Sequence, residues 1–152
     1  MTDATMATYR GVVYPWHCDH VGHMNVQFYI AKFDEATWFF FNRLGLTRTF
    51  LAEHRRGMAA VEQRIAYQRE VRAGDALAVE TTLVEAREKV LKFVHRMRVP
   101  DTGDIAALML QTTVHLDTEL RKSTELPADV VARARALVAT VELPWDVRRK
   151  ES

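Results

Sequence analysis

Between Phe28 and Leu46 the apolar residues Tyr29, Phe33, Ala36, Trp38, Phe40, Phe41 and Leu44 fall at helical spacing, with residues 29, 33, 36, 40 and 44 separated by threes and fours, and Gly45 stands where such a helix stops. The run Trp38-Phe39-Phe40-Phe41 spreads apolar surface around most of the circumference. A helix lying on a protein surface needs a single apolar stripe. This one asks to be enclosed, and a sheet is the element that can wrap it.

The rest of the chain supplies that sheet. Thr8 to Tyr14 is β-branched and aromatic and ends at Pro15, which predicts a short strand closed by a turn. After a basic, mobile-looking stretch, His54 to Gly57, the chain alternates in four runs: Val61, Gln63, Ile65 and Tyr67; Leu77, Val79, Thr81 and Leu83; Lys89, Leu91, Phe93, His95 and Met97; and Ala106 through Leu116 on even positions. Short turn-type connectors lie between them, at Ala73-Gly74-Asp75, Glu85 to Glu88 and Pro100 to Asp104, so the four strands are expected to form an antiparallel meander. From Pro127, the residues Val130, Ala134, Leu137, Val138 and Val141 have helical spacing and predict a capping helix. No repeat or Gly/Ser-rich linker divides the chain, so residues 1–152 are read as one α+β domain, an antiparallel sheet wrapped around a long central helix.

Charge and cysteine content narrow the function classes. Twenty-one Lys and Arg face 20 Asp and Glu, interspersed in sign, which gives no basic face for a nucleic-acid partner. The single cysteine, Cys18, has no partner for an intramolecular bridge and fits a reducing compartment. Met1 to Arg10 lacks the basic start and apolar run of a signal peptide, and no segment is apolar enough for a membrane span, so a cytoplasmic protein without a membrane partner is expected.

The densest set of reactive side chains lies just before the helix, in His17-Cys18-Asp19-His20-Val21-Gly22-His23-Met24-Asn25. The first turn of a helix leaves free backbone N–H groups at the positive end of the dipole, and such an end polarises a carbonyl or holds an oxyanion. Asp19 beside it is either a catalytic carboxylate or a cap. Gly22 lets the backbone take a positive φ or approach a ligand, or only makes a turn. His23 is a general acid or base, or a solvated loop histidine, and Asn25 has N-cap chemistry of its own. His17, His20 and His23 are spaced by threes but lack the second ligand pair of a closed zinc site, so no metal is expected. Cys18 has no marked base and reads as a packed thiol.

These residues resemble the hotdog-fold acyl-CoA thioesterases of the 4-hydroxybenzoyl-CoA thioesterase type. The likeness rests on Asp19-His20-Val21-Gly22-His23-Met24-Asn25 followed by Tyr29 and Phe33-Asp34-Glu35-Ala36, and extends through Ile65 to Asp75, Ala106 to Asp117, Arg121 and Leu126-Pro127. It implies that a carboxylate at Asp19 attacks the thioester or activates water. It also implies that the Val26 amide polarises the carbonyl, with Gly22 keeping the loop close and Tyr29 in the substrate-binding motif. His23 matches a histidine that takes part in some relatives, although their companion asparagine falls at Val21, and Asn25 completes the catalytic motif. Some relatives carry a histidine at the place of Val26, which this chain does not. The glutamate used by another hotdog lineage is not transferred to Glu62 or Glu35, which are read as solvated or paired.

The resemblance thus implies hydrolysis of acyl-CoA without metal or organic cofactor. It also implies a homodimer with a continuous sheet and active sites at the subunit junction, with a homotetramer as a further option. Covering one helix with one sheet leaves an exposed edge strand, which asks for the same pairing. Arg55, Arg56, Arg69 and Arg72 are cations available to CoA phosphates, none singled out. Tyr14, Trp16 and Trp38 suit an apolar pocket, core packing or a quaternary ammonium. Gly22 to Val26 with Phe33-Asp34 and Leu44-Gly45-Leu46 is also similar to thioesterases of carnitine and betaine breakdown. Two other readings stay open: a non-hydrolytic acyl-CoA-binding hotdog domain, and an enoyl-CoA hydratase or dehydratase on the same scaffold.

Overall fold

In the computed structural model, which describes residues 4–146, the central helix α1 (Val26–Leu44) starts at Asn25, whose side-chain oxygen accepts a hydrogen bond from the Gln27 amide at 3.1 Å. It ends at Gly45, whose φ of +96° is the left-handed conformation that disfavours any side chain. Around it run β1 (Thr5–Val12), α2 (Arg48–His54), β2 (Arg56–Tyr67), β3 (Ala76–Ala86), β4 (Val90–Arg98), β5 (Ile105–Asp117), β6 (Lys122–Ser123) and α3 (Ala128–Arg135). The sheet is antiparallel, in the order β1-β3-β4-β5-β2, with β6 on the end of β5. This curled sheet around one helix is the α+β hotdog arrangement expected from the pattern of elements.

The core is divided along α1. Beneath its N-terminal half, Tyr29, Phe33 and Ala36 pack with Val79, Met97 and Met109. Beneath its C-terminal half, Phe40, Phe41 and Leu44 meet Leu83, Leu91 and Phe93, and Val130 and Ala134 of α3 close that end. Phe93 touches both Phe40 and Phe41 at ring distances of 5.1 and 5.7 Å. Each such aromatic side chain contributes about 3–5 kcal/mol, judged by truncation.

Several expectations need correction. Only half of the aromatic run is enclosed: Trp38 and Phe39 are 41% and 51% exposed. The four later strands are not a simple meander, because β2 pairs with β5 and lies at the opposite edge from β1. The connector containing Ala73-Gly74-Asp75 belongs to a longer segment, residues 68–75, that crosses below the start of α1. Val71 accepts from the Met24 amide there, and the Gly74 amide donates to Val13. The first strand begins earlier than Thr8, and the stretch read as mobile contains the end of a short helix, α2, and the start of β2. α3 stops at Arg135, short of Val138 and Val141.

On β5 the even residues are not those turned toward α1. Ala107, Met109, Gln111, Thr113 and His115 face inward, in register with the buried odd residues of β4. Leu108 and Leu110 lie on the other face, bordering grooves shared with Leu143 of the C-terminal segment. The outer face is apolar because chain covers it, and this inverted the reading of the alternation.

One polar line passes through the core. Thr37 donates to the Phe33 carbonyl at 2.9 Å, so its oxygen accepts from His95 Nε2 at 2.7 Å. His95 is therefore the Nε2–H tautomer, and its Nδ1 accepts from Thr81 at 2.7 Å. Thr81 in turn lies 2.8 Å from the Thr8 hydroxyl. Helix and strands are thus keyed in register by a directional chain, and burial pushes the imidazole down to about 3, keeping it neutral.

Candidate active site

The loop before α1 is a small hairpin. The Asn25 amide donates to the His17 carbonyl at 2.9 Å, the Asp19 amide to His23 at 3.2 Å and the Gly22 amide to Asp19 at 3.0 Å. Gly22 makes the turn with φ +97°, and nothing lies within 4 Å of where a Cβ would stand. The turn therefore leaves open space over Gly22.

This hairpin brings Asp19 to the helix start. Asp19 Oδ2 accepts from Asn25 Nδ2 at 2.9 Å, and Oδ1 accepts from the Val21 amide at 2.9 Å. Asn25 uses both ends of its amide, donating to Asp19 and capping α1 through Gln27. The Asn25 hydrogen bond first, then the Val21 amide, holds the Asp19 carboxyl below its ordinary value of 3.8, so it is anionic throughout the neutral range. Val26 is the first residue of α1, with no intrahelical acceptor for its amide by helix geometry, and its side chain is exposed.

The other expected residues sit around this centre with different partners. His23 Nε2 lies 3.3 Å from Glu70 Oε1. Tyr29 is buried, donates to the Arg69 carbonyl at 3.2 Å and meets Tyr67 edge-on with ring centres 5.2 Å apart. Burial, ahead of any other cause, raises its phenol above the ordinary range. Tyr29 and His23 therefore fix residues 67–71 to the loop, a role that the sequence motif does not reveal. Glu70 and Arg69 were missed as loop partners because they fall in the crossing segment, which looks like an ordinary strand end. Cys18 is half-buried, its thiol 3.8 Å from the Tyr14 carbonyl. His17 Nδ1 accepts from the Tyr14 amide at 2.9 Å and its ring packs on Phe28. Its pKa is lowered by burial and then by Lys32. Among the described residues no group of three His, Cys, Asp or Glu side chains is placed to hold a metal ion. No helix there is long and apolar enough to cross a membrane.

An anionic carboxylate hydrogen-bonded to the N-cap of a helix places a base or nucleophile next to amide donors. That pairing suits attack on an activated carbonyl with stabilisation of its oxyanion.

Comparison with known proteins points the same way. Residues 13–134 match the Thioesterase-like superfamily. A betainyl-CoA thioesterase of Pseudomonas aeruginosa is 27% identical over 132 residues, covering 87% of this chain and 83% of that protein. An L-carnitine dehydrogenase/betainyl-CoA thioesterase of Rhizobium meliloti is 27% identical over 119 residues, covering 78% of this chain but 24% of the fused protein. The fold matches a Staphylococcus aureus protein solved in complex with CoA, with a TM-score of 0.84, 18% identity, and coverage of 94% and 92% of the two chains. It also matches a 1,4-dihydroxy-2-naphthoyl-CoA thioesterase of Synechocystis, with a TM-score of 0.74, 17% identity, and coverage of 84% and 96%. With a superfamily match over most of its length and thioesterases among its relatives, the chain belongs to the Thioesterase-like superfamily and is a thioester hydrolase.

Proposed function

We propose that this protein hydrolyses acyl-CoA to a free acid and CoA, with Asp19 as the reacting carboxylate, in the manner of the 4-hydroxybenzoyl-CoA thioesterase type. The single observation that carries the reading is the Asn25 amide joining Asp19 Oδ2 to the first turn of α1. As a general base, Asp19 takes a proton from water while the water oxygen bonds to the thioester carbon. The C–S bond then breaks, and the CoA thiolate recovers a proton. As a nucleophile, Asp19 forms a mixed anhydride with release of the thiolate, and water hydrolyses the anhydride. In both cases the developing oxyanion is received by amides opening α1, that of Val26 first, with Gly22 keeping the loop open to the thioester. His23 and Asn25 orient the loop and the carboxylate, and Tyr29 lines the floor beside them.

The acyl group we favour carries a quaternary ammonium. Both curated relatives are named for betainyl-CoA. In this chain Trp16 is 69% exposed and stacked on Tyr14 at 4.5 Å, immediately before the loop, so the outer face of the indole is free to receive a cation. The protein acts as a homodimer through the free edge of β2, where Ala60 to Arg64 are exposed along a 12-residue strand.

Free-thiol release from a panel of aromatic, short, long and quaternary-ammonium acyl-CoAs tests the reading. Asp19→Asn is expected to lower turnover roughly 10²- to 10⁴-fold with the fold intact. Full turnover by that variant would refute the role of Asp19, and a panel without any hydrolysed acyl-CoA would refute the substrate class.

A further inference from the structure

The crossing segment carries a charge that the proposed hydrolysis does not use. The hairpin strand of residues 23–25 has neighbours on both sides. The Asp19 and Asn25 amides join it to residues 17–19, and the Met24 amide donates to the Val71 carbonyl at 2.8 Å. Glu70, one residue before Val71, therefore stands beside the loop, its Oε1 3.3 Å from His23 Nε2. Asn25 and Val21 act first in holding the Asp19 carboxyl down, and His23 adds to them, so His23 is within electrostatic reach of both carboxylates. Glu70 also reaches Tyr29. Burial first raises that phenol above its ordinary value, and Tyr67 and Glu70 add to the shift.

Glu70 is a carboxylate short of partners. Its side chain is 62% exposed, and the Arg72 guanidinium, itself in solvent, is 4.0 Å from Oε2. Arg69, the preceding residue, is turned to Asp104 and Thr102 instead. The place of this charge fits the geometry of the favoured acyl group. In the shortest acyl group of that kind one methylene separates the ammonium nitrogen from the thioester carbon, so the two atoms are about 2.5 Å apart. With the attacking atom about 3–3.5 Å from that carbon, the cation lies within about 6 Å of the attacking atom. A cation so close to the reacting bond meets only the loop and its immediate neighbours. A quaternary ammonium has no N–H to donate, so charge and ring faces are what distinguish it from a neutral group of the same shape. Trp16 offers a ring face and no charge. Asp19 is committed to the attack, which leaves Glu70.

We propose that Glu70 sets the charge specificity of the site, its carboxylate acting as the counter-ion of the quaternary ammonium in the acyl group. This rests on the quaternary-ammonium thioester reading and adds to it the residue that recognises the charge. Glu70 makes and breaks no bond in the reaction.

The test compares two CoA thioesters of the same shape, trimethylammonioacetyl-CoA and 3,3-dimethylbutanoyl-CoA, in which carbon replaces the charged nitrogen. Free-thiol release gives kcat/KM for each, and the ratio of cationic to neutral substrate is the readout. The unequal intrinsic reactivity of the two thioesters cancels when the ratio of a variant is divided by that of the wild type. Glu70→Gln keeps the shape of the side chain and is expected to lower the ratio roughly three- to tenfold, as for a partly exposed charge pair. Glu70→Asp, which retains the charge, is expected to keep more of the ratio. Arg72→Gln removes the competing guanidinium and is expected to raise it. Added salt is expected to lower the ratio in the wild type more than in Glu70→Gln. If Glu70 serves only to hold the loop, Glu70→Gln slows both substrates alike. An unchanged ratio in that variant therefore overturns the role of Glu70, while hydrolysis of the cationic thioester by the wild type leaves the substrate reading standing. A wild type that does not hydrolyse the cationic thioester overturns both.

Discussion

The side-chain amide of Asn25 spans Asp19 and the start of α1, donating to Asp19 Oδ2 at 2.9 Å while accepting from the Gln27 amide at 3.1 Å. Substitutions separate the two functions. Asn25→Asp keeps a good cap but replaces the donor with a second carboxylate, so it is expected to remain folded and to lose turnover. Asn25→Ala is expected to lose both, at about 1 kcal/mol of stability for the cap and roughly 10- to 100-fold in kcat for the displaced carboxylate. Thermal unfolding and free-thiol kinetics on the pair check this. Equal kcat in the wild type and Asn25→Asp removes Asn25 from the site.

The same hydrogen bonds fix a pH dependence. The Asp19 carboxyl is held below its ordinary 3.8 by the Asn25 side chain first and the Val21 amide next, so the folded state binds this proton less readily than the unfolded chain. Its contribution to stability is complete above pH 3.8 and is lost as pH falls through the lower folded value. Turnover that depends on the carboxylate is therefore expected to stay level from neutral pH into the acid range. Asn25→Ala is expected to move the acidic limb of the kcat/KM profile to higher pH. A limb that does not move on that substitution separates the titrating group from Asp19.

Much of this was legible in the sequence, for identifiable reasons. The 3.6-residue period over Tyr29 to Leu44, with Gly45 after it, is strong because all of one face is buried. The loop motif is local, so Asp19, Gly22 and Asn25 come together through neighbours a few residues apart. What stayed hidden was long-range or covered on both sides. The alternation of β5 pointed to Leu108 and Leu110, because the C-terminal segment covers the outer face, while the inner face carries Gln111, Thr113 and His115. The pairing of β2 with β5 depends on the crossing segment, whose anchors at Val71 and Gly74 bond to residues far away in sequence. Composition places Trp38 and Phe39 in the core, and only the position of β1 and α2 beside them shows that they border grooves.

His95 gives a second acid-sensitive feature. Its pKa is pushed from 6.5 down to about 3 by burial, so the neutral form is required by the fold. The stability it confers is complete above pH 6.5 and declines toward about 3, at up to roughly 1.4 kcal/mol per pH unit. His115, also lowered by burial first, adds to the slope below pH 6.5. His95→Leu is expected to flatten denaturant-derived stability between these limits. At neutral pH it should cost on the order of 1–3 kcal/mol, because Thr37 and Thr81 lose their partner. An unchanged slope in the variant assigns the acid sensitivity elsewhere.

Gly45 and Gly22 share a left-handed backbone and differ in surroundings. A Cβ on Gly45 would stand 2.8 Å from the Arg133 guanidinium, which donates to the Leu44 carbonyl, whereas one on Gly22 would meet nothing. Gly22→Ala should therefore cost about 1–2 kcal/mol from the backbone alone, and Gly45→Ala more, because Arg133 must also move. Paired chemical denaturation of the two variants reads the difference directly. Catalytic effects are expected only from Gly22→Ala, since Gly22 makes the turn of the loop that carries Asp19.

The free edge of β2 makes the most discriminating prediction about assembly. In the proposed homodimer, an antiparallel pairing of two β2 strands with full overlap would set Val61, 60% exposed at mid-strand, opposite Glu62 of the second copy. By the two-fold relation, any substitution at Val61 acts twice in each dimer. Val61→Glu sets like charges opposite one another and is expected to weaken the dimer by about 0.2–1 kcal/mol at each of the two positions. Val61→Lys sets opposite charges there and is expected to keep the dimer or tighten it. Sedimentation over a concentration series at low ionic strength measures both. If the two substitutions shift dissociation equally, the strands of the proposed dimer meet in another register.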